Sequence, residues 1–517
     1  MKRYILAHDL GTSSDKAALF GGRGEVVGSA SAPYGVLMPQ PGWAEQDPEA
    51  WWAAVCRTTR EALARSGATP AEVTAVSFSG QMQGTLPVDA AGRPLMHCMI
   101  WMDGRAHAQA RQLTTGRIRA FGYGAFRLAR WIWLASGAPS LTGTDAISKI
   151  VWLRESRPEL WDRTHKLLDA KDYLLFRCTG RYVTSYDCGN LTWLMDTRKG
   201  RLRWSEALLG SACIPVHLLP ELVPSTEIVG GLTAEAAGDL GLLPGTPVVA
   251  GAGDAPAMAI GAGAVREREF HLALGTGAWI ATHVEHRLVD PLSYVASMCS
   301  AHPRKYVVMA SQQAAGICVE WARTHLLRVD GRPATYDELD DLAERSEAGA
   351  GGLFFLPWMI GERTPIDDRH ARAGFVNLGL DHHAPHLARA VYEGIALNAR
   401  WALEKVERLV GGRGPGIRFA GGCARSDVWC RLLADVLDRP ILQVADPELA
   451  AARGAALLAA HALGTLPDFE SIPSLVPLRA SYEPRPASRR RYDEAFGAFR
   501  DYYRRNRGWF ARVNAGH

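Results

Sequence analysis

The feature that most limits how this chain can fold occurs twice: a strand-like apolar run that breaks at Leu-Gly-Thr and resumes as a second run. Near the start, Tyr4 to His8 approaches Leu10-Gly11-Thr12, and Lys16 to Phe20 follows. In the second half, His271 to Ala273 approaches Leu274-Gly275-Thr276-Gly277, and Ala278 to Val284 follows. Three shared residues carry little alone. The same turn placed early in each half points to two related domains facing one another. A chain of 517 residues also exceeds one ordinary core, so two domains are expected, divided here as 1–245 and 246–517.

Between the hairpins, Val248-Val249-Ala250-Gly251-Ala252-Gly253 is an apolar run too short for a helix, and it delivers one carboxylate, Asp254, before Ala255-Pro256. Glycines at a strand end let backbone approach a ligand, and an acid placed there is held by the strand. Asp254 is read as a catalytic base. The plainer alternative is a residue that opens the helix Pro256 to Ala264.

Other strand ends repeat the arrangement. Val73 to Phe78 opens into Ser79-Gly80-Gln81-Met82-Gln83-Gly84, whose side chains can face a ligand. Ile417 to Ala420 ends in Gly421-Gly422, with Ser426 capping the helix that follows. Asp47, Pro48 and Glu49 announce a first long helix that stops at Gly67. Arg105 to Gly245 reads as helix-rich, the body and lid of the first domain. Later expectations are a helix from Ala314 to Leu327, a strand from Leu353 to Trp358, a helix from Pro385 to Leu409 and an Ala-rich helix from Ala450 to Leu463.

Composition excludes several classes. The net charge of +4 is too small at this length to imply a nucleic-acid partner. The nine cysteines include no C-x-x-C pair and read as reduced thiols. With no leader-like segment and no run long enough to span a bilayer, a cytoplasmic protein without membrane contact is expected. His382, His383 and His386 read as solvated surface rather than a metal site, and Arg489 to Arg491 as the solvated side of a C-terminal amphipathic helix. G-x-x-x-x-G-K-[ST], a Rossmann fingerprint and the protein-kinase H-R-D loop are all missing. What remains, in order, is acid with Gly-Thr, acid, Gly-Thr, then Gly-Gly before a helix. That order suits a nucleotide clamped between two domains.

In order along the chain, Asp9-Leu10-Gly11-Thr12-Ser13-Ser14, Gln40-Pro41-Gly42-Trp43-Ala44-Glu45-Gln46-Asp47-Pro48, Gly80-Gln81-Met82, Asp103-Gly104-Arg105, Gly253-Asp254, Leu274-Gly275-Thr276, Gly361-Glu362-Arg363-Thr364-Pro365 and Gly421-Gly422-Cys423-Ala424-Arg425-Ser426 closely resemble the FGGY carbohydrate kinases, nearest to xylulokinases. The resemblance runs from about Tyr4 to Pro467. It implies an α/β fold of two actin-like, ribonuclease-H-like domains with a cleft between them, holding ATP, Mg²⁺ and a small sugar or polyol. It makes Asp254 the base and Asp9 a magnesium-side carboxylate, with Asp254 reaching the metal through water. Gly11, Thr12, Ser13 and Lys16 would form the first phosphate hairpin, Gly275 and Thr276 the second, and Gly421, Gly422 and Ser426 the adenosine side. The substrate set is Gln81, Met82, Gln83, Asp103, Arg105 and Ala255.

Gln83 stands where xylulokinases carry His, Ala255 where they carry Asn, and Trp101-Met102-Asp103 replaces Trp-Asn-Asp. Such changes could redirect the enzyme to another ketose or polyol, ribulose or erythritol among them. A non-catalytic ATP-binding relative of the actin-like superfamily is the rival reading, and a homodimer the candidate assembly.

Overall fold

The computed structural model describes residues 3–515 except 23 and 292–294. Two mixed sheets organise it. The first contains β1 (Tyr4–Leu10), β2 (Ser14–Phe20), β3 (Val26–Pro33), β4 (Val73–Gly80), β5 (Ile228–Gly231) and β6 (Pro247–Gly253), in the order β5-β6-β4-β1-β2-β3. The second contains β7 (Phe270–Leu274), β8 (Ala278–Val284), β9 (Val289–Asp290), β10 (Val295–Cys299), β11 (Tyr306–Gln312), β12 (Ile417–Ala420), β13 (Ile441–Val444) and β14 (Leu478–Tyr482), in the order β9-β10-β11-β8-β7-β12-β13-β14.

Each sheet embeds the same plan. In the first, β1 pairs antiparallel with β2, which pairs antiparallel with β3, while β4 and then β6 add in parallel on the other side. In the second, β7, β8 and β11 form the antiparallel set, and β12 and β13 add in parallel. The repeated Leu-Gly-Thr turn therefore marks a repeated sheet.

One element lies across the expected division. Pro247–Gly253 had been grouped with the second half, yet it pairs with β4 and β5 in the first sheet. Its apolar residues fill the central gap beside β4, so Asp254 hangs from the first sheet and not the second. We place the division after the helix that Asp254 begins.

Helices cover the sheets where the sequence signals them. Helix α1 (Pro48–Ser66) is capped by Asp47, whose carboxylate accepts from the Glu49 N–H, and it ends at Gly67 with φ of 67°. Such a cap contributes about 1 kcal/mol. Helices α2 (Ala146–Ser156) and α3 (Asp254–Gly261) belong to the first unit, and α4 (Ala384–Leu409), α5 (Asp427–Leu437), α6 (Ala450–Ala462) and α7 (Pro486–Val513) to the second. The expected strand Leu353 to Trp358 is shorter, Phe354–Leu356, and pairs with Gly374–Val376 outside both large sheets.

The units meet through α3 and α6. A Cβ on Gly261 would lie 1.7 Å from the Ala450 carbonyl oxygen, and one on Gly454 would lie 1.9 Å from that of Ala257. Only glycine permits that backbone approach. The seam joins a single apolar cluster running from Ile5, Ala7 and Val249 of the first sheet to Ala273, Ala420 and Val444 of the second. No helix among the described residues is long and apolar enough to cross a membrane.

Candidate active site

Three strands of the first sheet end together. Leu10 is in register with Gly80, and Gly80 with Gly253. Asp9 and Asp254 are thereby brought to one edge, each at the end of a buried strand. A bulge in β6 makes this possible: Gly251 has φ of 63°, and a Cβ there would sit 1.9 Å from the Phe78 carbonyl oxygen. Asp187 fixes the strand end, accepting from the Gly253 N–H at 2.6 Å and from the Ser225 hydroxyl at 2.9 Å.

Asp254 is the first residue of α3, whose N-cap is Gly253, and its Oδ1 accepts from the N–H of Ala255 at 2.8 Å. The carboxylate does not bridge to the second or third residue as an N-cap would. Burial pushes its carboxyl up to about 7, the Asp9 charge adds to the rise, and the Ala255 N–H opposes it. Asp9 is itself raised, chiefly by burial, with Lys16 opposing. Lys16 Nζ lies 3.8 Å from Asp9 Oδ2, and the Ser79 hydroxyl donates to Oδ1 at 3.3 Å.

Two carboxylates sharing one low-dielectric edge, with one half-exposed lysine as counter-charge, suit a divalent cation. Among the described residues no group of three or more His, Cys, Asp or Glu is assembled for a metal. That matches Mg²⁺ rather than Zn²⁺, because Mg²⁺ keeps waters and completes its shell with phosphate oxygens.

The β4 turn forms a polar floor beside these acids. Gln81 donates to Gln46 Oε1 at 2.6 Å, and Gln46 donates to the Thr12 carbonyl at 2.6 Å. Arg105 is clamped by Asp103 and Glu45, both at 2.6 Å from its Nη2, with its guanidinium carbon 3.5 Å from the Trp43 ring centroid. Gln81 Oε1 and Arg105 Nη1 are buried without a protein partner. One acceptor and one donor thus await a ligand, since such groups are costly to leave unpaired. Asp103 is fully buried and also accepts from the Ala44 N–H at 2.7 Å, so it supports Arg105 rather than facing the cleft.

Other members of the substrate set differ from expectation. Met82 is buried in a small cluster with Cys188, Ala281, Met298 and Val307, packing between the units. Gln83 turns its amide nitrogen onto Asp145 Oδ1 at 2.7 Å. Ala255 is buried. Trp101 donates to the Thr12 hydroxyl at 2.9 Å, tying the first hairpin to the polar floor.

A cleft of about 1300 Å³ between the units is lined by Lys16, Gly275, Thr276, Gly422 and Ser426. Lys16 joins this cleft to the acidic edge. In each hairpin the glycine N–H closes the turn, Gly11 onto Ser14 and Gly275 onto Gly277. The N–H groups of Thr12, Ser13 and Thr276 find no acceptor among the described residues. These, and not the glycines', are the backbone donors open to phosphate oxygens. Gly275 has empty space around a Cβ, whereas one on Gly277 would lie 2.8 Å from the Gln312 carbonyl oxygen. Gly421, with φ of 89°, presses on Leu274, and Gly422 faces open space. Ser426 accepts from the Trp429 N–H, so its hydroxyl also caps α5.

Several supports were not singled out in the sequence. Lys149, fully buried in α2, donates to the carbonyls of Gln83 at 2.8 Å, Ile100 at 2.6 Å and Met99 at 3.4 Å. One ammonium holds both loops of the polar floor. Its signal was a lysine between Ile147 and Ile150, on a stripe of apolar residues. Glu362 accepts from the N–H groups of Gln313 and Arg363, both at 2.8 Å, and from Asn398 at 2.7 Å. Gly316 and Ala315 then donate to the Gly275 and Thr276 carbonyls, so Glu362 fixes the second hairpin from behind. His382 and His386 accept from the N–H groups of Gly379 and His383, a local cap at the start of α4.

Residues 4–261 match the N-terminal domain, and residues 272–463 the C-terminal domain, of the FGGY family of carbohydrate kinases. The chain is 32% identical to a xylulose kinase of Escherichia coli (strain K12) over 92% of its own length and 93% of that protein's. It is 29% identical to a gluconokinase of Bacillus subtilis (strain 168), over 92% and 91%. Its fold superposes on the crystal structure of a gluconate kinase from Lactobacillus acidophilus with a TM-score of 0.87 and 26% identity, covering 99% of this chain and 100% of that one.

Proposed function

Because the chain belongs to the FGGY family of carbohydrate kinases, we propose that it transfers the γ-phosphoryl group of ATP to one hydroxyl of a small sugar or polyol, with Asp254 taking that hydroxyl's proton. The observation that carries this reading is the position of Asp254: at the end of a buried strand, beside Asp9, with its carboxyl raised to about 7. A base is most effective when its proton affinity lies near the working pH.

Phosphoryl transfer asks a protein mainly for alignment and charge neutralisation. Gln81 and Arg105 offer the unpaired acceptor and donor that would hold substrate hydroxyls. Thr12, Ser13 and Thr276 offer backbone donors for phosphates, and Lys16 a cation between the phosphates and the acidic edge. Asp9, with Asp254 acting through water, would hold Mg²⁺, which when bound screens the phosphate charge. Gly421, Gly422 and Ser426 would border the adenosine. Closure of the units over the substrates would exclude water and limit idle ATP hydrolysis.

The relatives act on different substrates, xylulose and gluconate by their names, so the acceptor is the open choice. We favour another ketose or a polyol over D-xylulose, because Ala255 offers no side-chain partner to a hydroxyl. The test is ADP release across pentuloses, hexuloses, linear polyols and sugar acids. Stimulation by one class, abolished in Asp254→Asn, supports the kinase reading. Equal ATP hydrolysis with and without every acceptor would leave the non-catalytic ATP-binding rival standing.

A further inference from the structure

A second cleft of about 750 Å³ opens between the units, away from the hairpins. One wall is the segment 111–142 of the first unit, and the other comprises 289–296 and 363–370 of the second. Its size suits a small ligand. It adjoins the polar floor through one residue: Ser140 and Trp193 line the cleft, and both donate to Asp145, which also receives the amide of Gln83.

The charge on its walls is one-sided in what remains available. Arg111 and Arg119 on the first unit and Arg363 on the second are exposed, and their guanidinium groups find no ion-pair or hydrogen-bond partner among the described residues. The acids on the same walls are occupied. Asp368 accepts from Tyr503 and from the His370 N–H, and Asp290 and Asp367 have partners as well. Elsewhere in the molecule arginines are mostly paired, Arg389, Arg439 and Arg485 among them.

We propose that this cleft is the acceptor's entrance and that it selects a polyhydroxy substrate carrying an anionic end, a carboxylate or a phosphate. The proposal rests on the kinase reading above and narrows its substrate class. A planar guanidinium pairs with either anion through two parallel N–H bonds. Arginines on both walls let one anion tie the units together, so the same charge that guides the acceptor inward also favours closure. Arg363 adjoins Glu362, whose carboxylate fixes the nucleotide hairpin from behind. An anion held at Arg363 is therefore one residue from the support of the phosphate site.

The test compares acceptors of equal chain length: aldonates and sugar monophosphates in one arm, neutral ketoses and polyols in the other. The expected result is kcat/KM about tenfold or more higher for one anionic group, with the advantage shrinking as salt rises from about 0.05 to 0.5 M. Whichever of carboxylate and phosphate gives it identifies the source of the charge. The double variant Arg111→Gln, Arg363→Gln should lose that advantage while binding ADP as the wild type does, which shows an intact fold and nucleotide cleft. A neutral acceptor preferred tenfold, or an anionic preference that survives the double variant, overturns the proposal and leaves the kinase reading in place. Absence of stimulation in both arms overturns the kinase reading itself.

Discussion

The two Leu-Gly-Thr hairpins share a sequence and a sheet plan, yet their cross-strand pairs differ in kind. In the first, the second pair back from the turn is Asp9 with Lys16; in the second it is Ala273 with Trp279. The parallel strand next to the first hairpin opens into Gln81 and stands beside the strand that ends at Asp254. The one next to the second ends in Gly421, pressed against Leu274. One copy of the scaffold has charge at its edge, and the other has small residues that leave room for a ligand. The difference teaches that duplication supplied geometry twice while chemistry was placed once, with the glycine hairpins gripping from both sides.

The largest effect that would break this comparison belongs to the acidic edge. Asp254→Asn should lower turnover by about 10² to 10⁴, the contribution of a positioned base, with ADP affinity and melting temperature retained. Single-turnover rates and calorimetry check it, and a wild-type rate would remove Asp254 from the chemistry. On the gripping side, Gly277→Val should be worse than Gly275→Val, because only Gly277 meets a carbonyl when a Cβ is added. The expected rise in the ATP KM is about tenfold for Gly277→Val, equivalent to about 1.4 kcal/mol, with the sugar KM little changed. Glu362→Gln should act in the same direction, since its amide would turn a donor toward Asn398.

Local features of both halves were legible in the sequence because they are set by neighbours along the chain. The hairpins, the Asp47 and Ser426 caps and the left-handed Gly67 follow from residue type and position. Carboxylates at strand ends were legible for the same reason. What could not be read were the pairings that join distant segments. β6 fits the first sheet because it fills the slot beside β4, and no local pattern says so. Asp145 and Asp187 became visible only as the groups receiving Gln83 and Gly253 from more than sixty residues away. Met82 follows a polar turn in sequence but fills a hole between the units.

Lys149 sharpens the comparison from the sugar side, having no counterpart that we identify behind the second hairpin. Lys149→Met should leave the carbonyls of Gln83, Met99 and Ile100 without their donor, raising the sugar KM about tenfold, or about 1.4 kcal/mol, while the ATP KM holds. Burial lowers its ammonium to about 8, against the Asp103, Asp145 and Asp169 charges that favour the protonated form. Below about 8 the ammonium grips both loops; above it, one donor and the charge are lost, so the wild-type sugar KM should climb with pH and the variant's should not. Stability runs the other way. The unfolded chain binds this proton up to the ordinary lysine range near 10.4, so between there and about 8 this group's contribution to folding stability rises with pH. Denaturant titration and sugar kinetics on one pH series separate the two trends.

The smallest effect is expected where the sequence departs most visibly from xylulokinases, at Gln83. Its amide nitrogen is engaged with Asp145, which leaves the carbonyl oxygen as the side chain's remaining polar end. A histidine that kept one ring N–H on Asp145 would present its other ring nitrogen, again an acceptor. The number and kind of hydrogen bonds offered to a substrate are then the same, and the change stays within about one neutral hydrogen bond, roughly 0.5 to 1.5 kcal/mol. Gln83→His should accordingly alter kcat/KM for any acceptor by about threefold or less, whereas Ala255→Asn, which adds a polar group at a buried position, should move it further. Asp145→Asn supplies the control: by releasing residue 83 it should make Gln and His behave differently where with Asp145 they behave alike. A hundredfold gain for D-xylulose from Gln83→His alone would show that residue 83 sets the sugar by itself, and that its tie to Asp145 has no part in specificity.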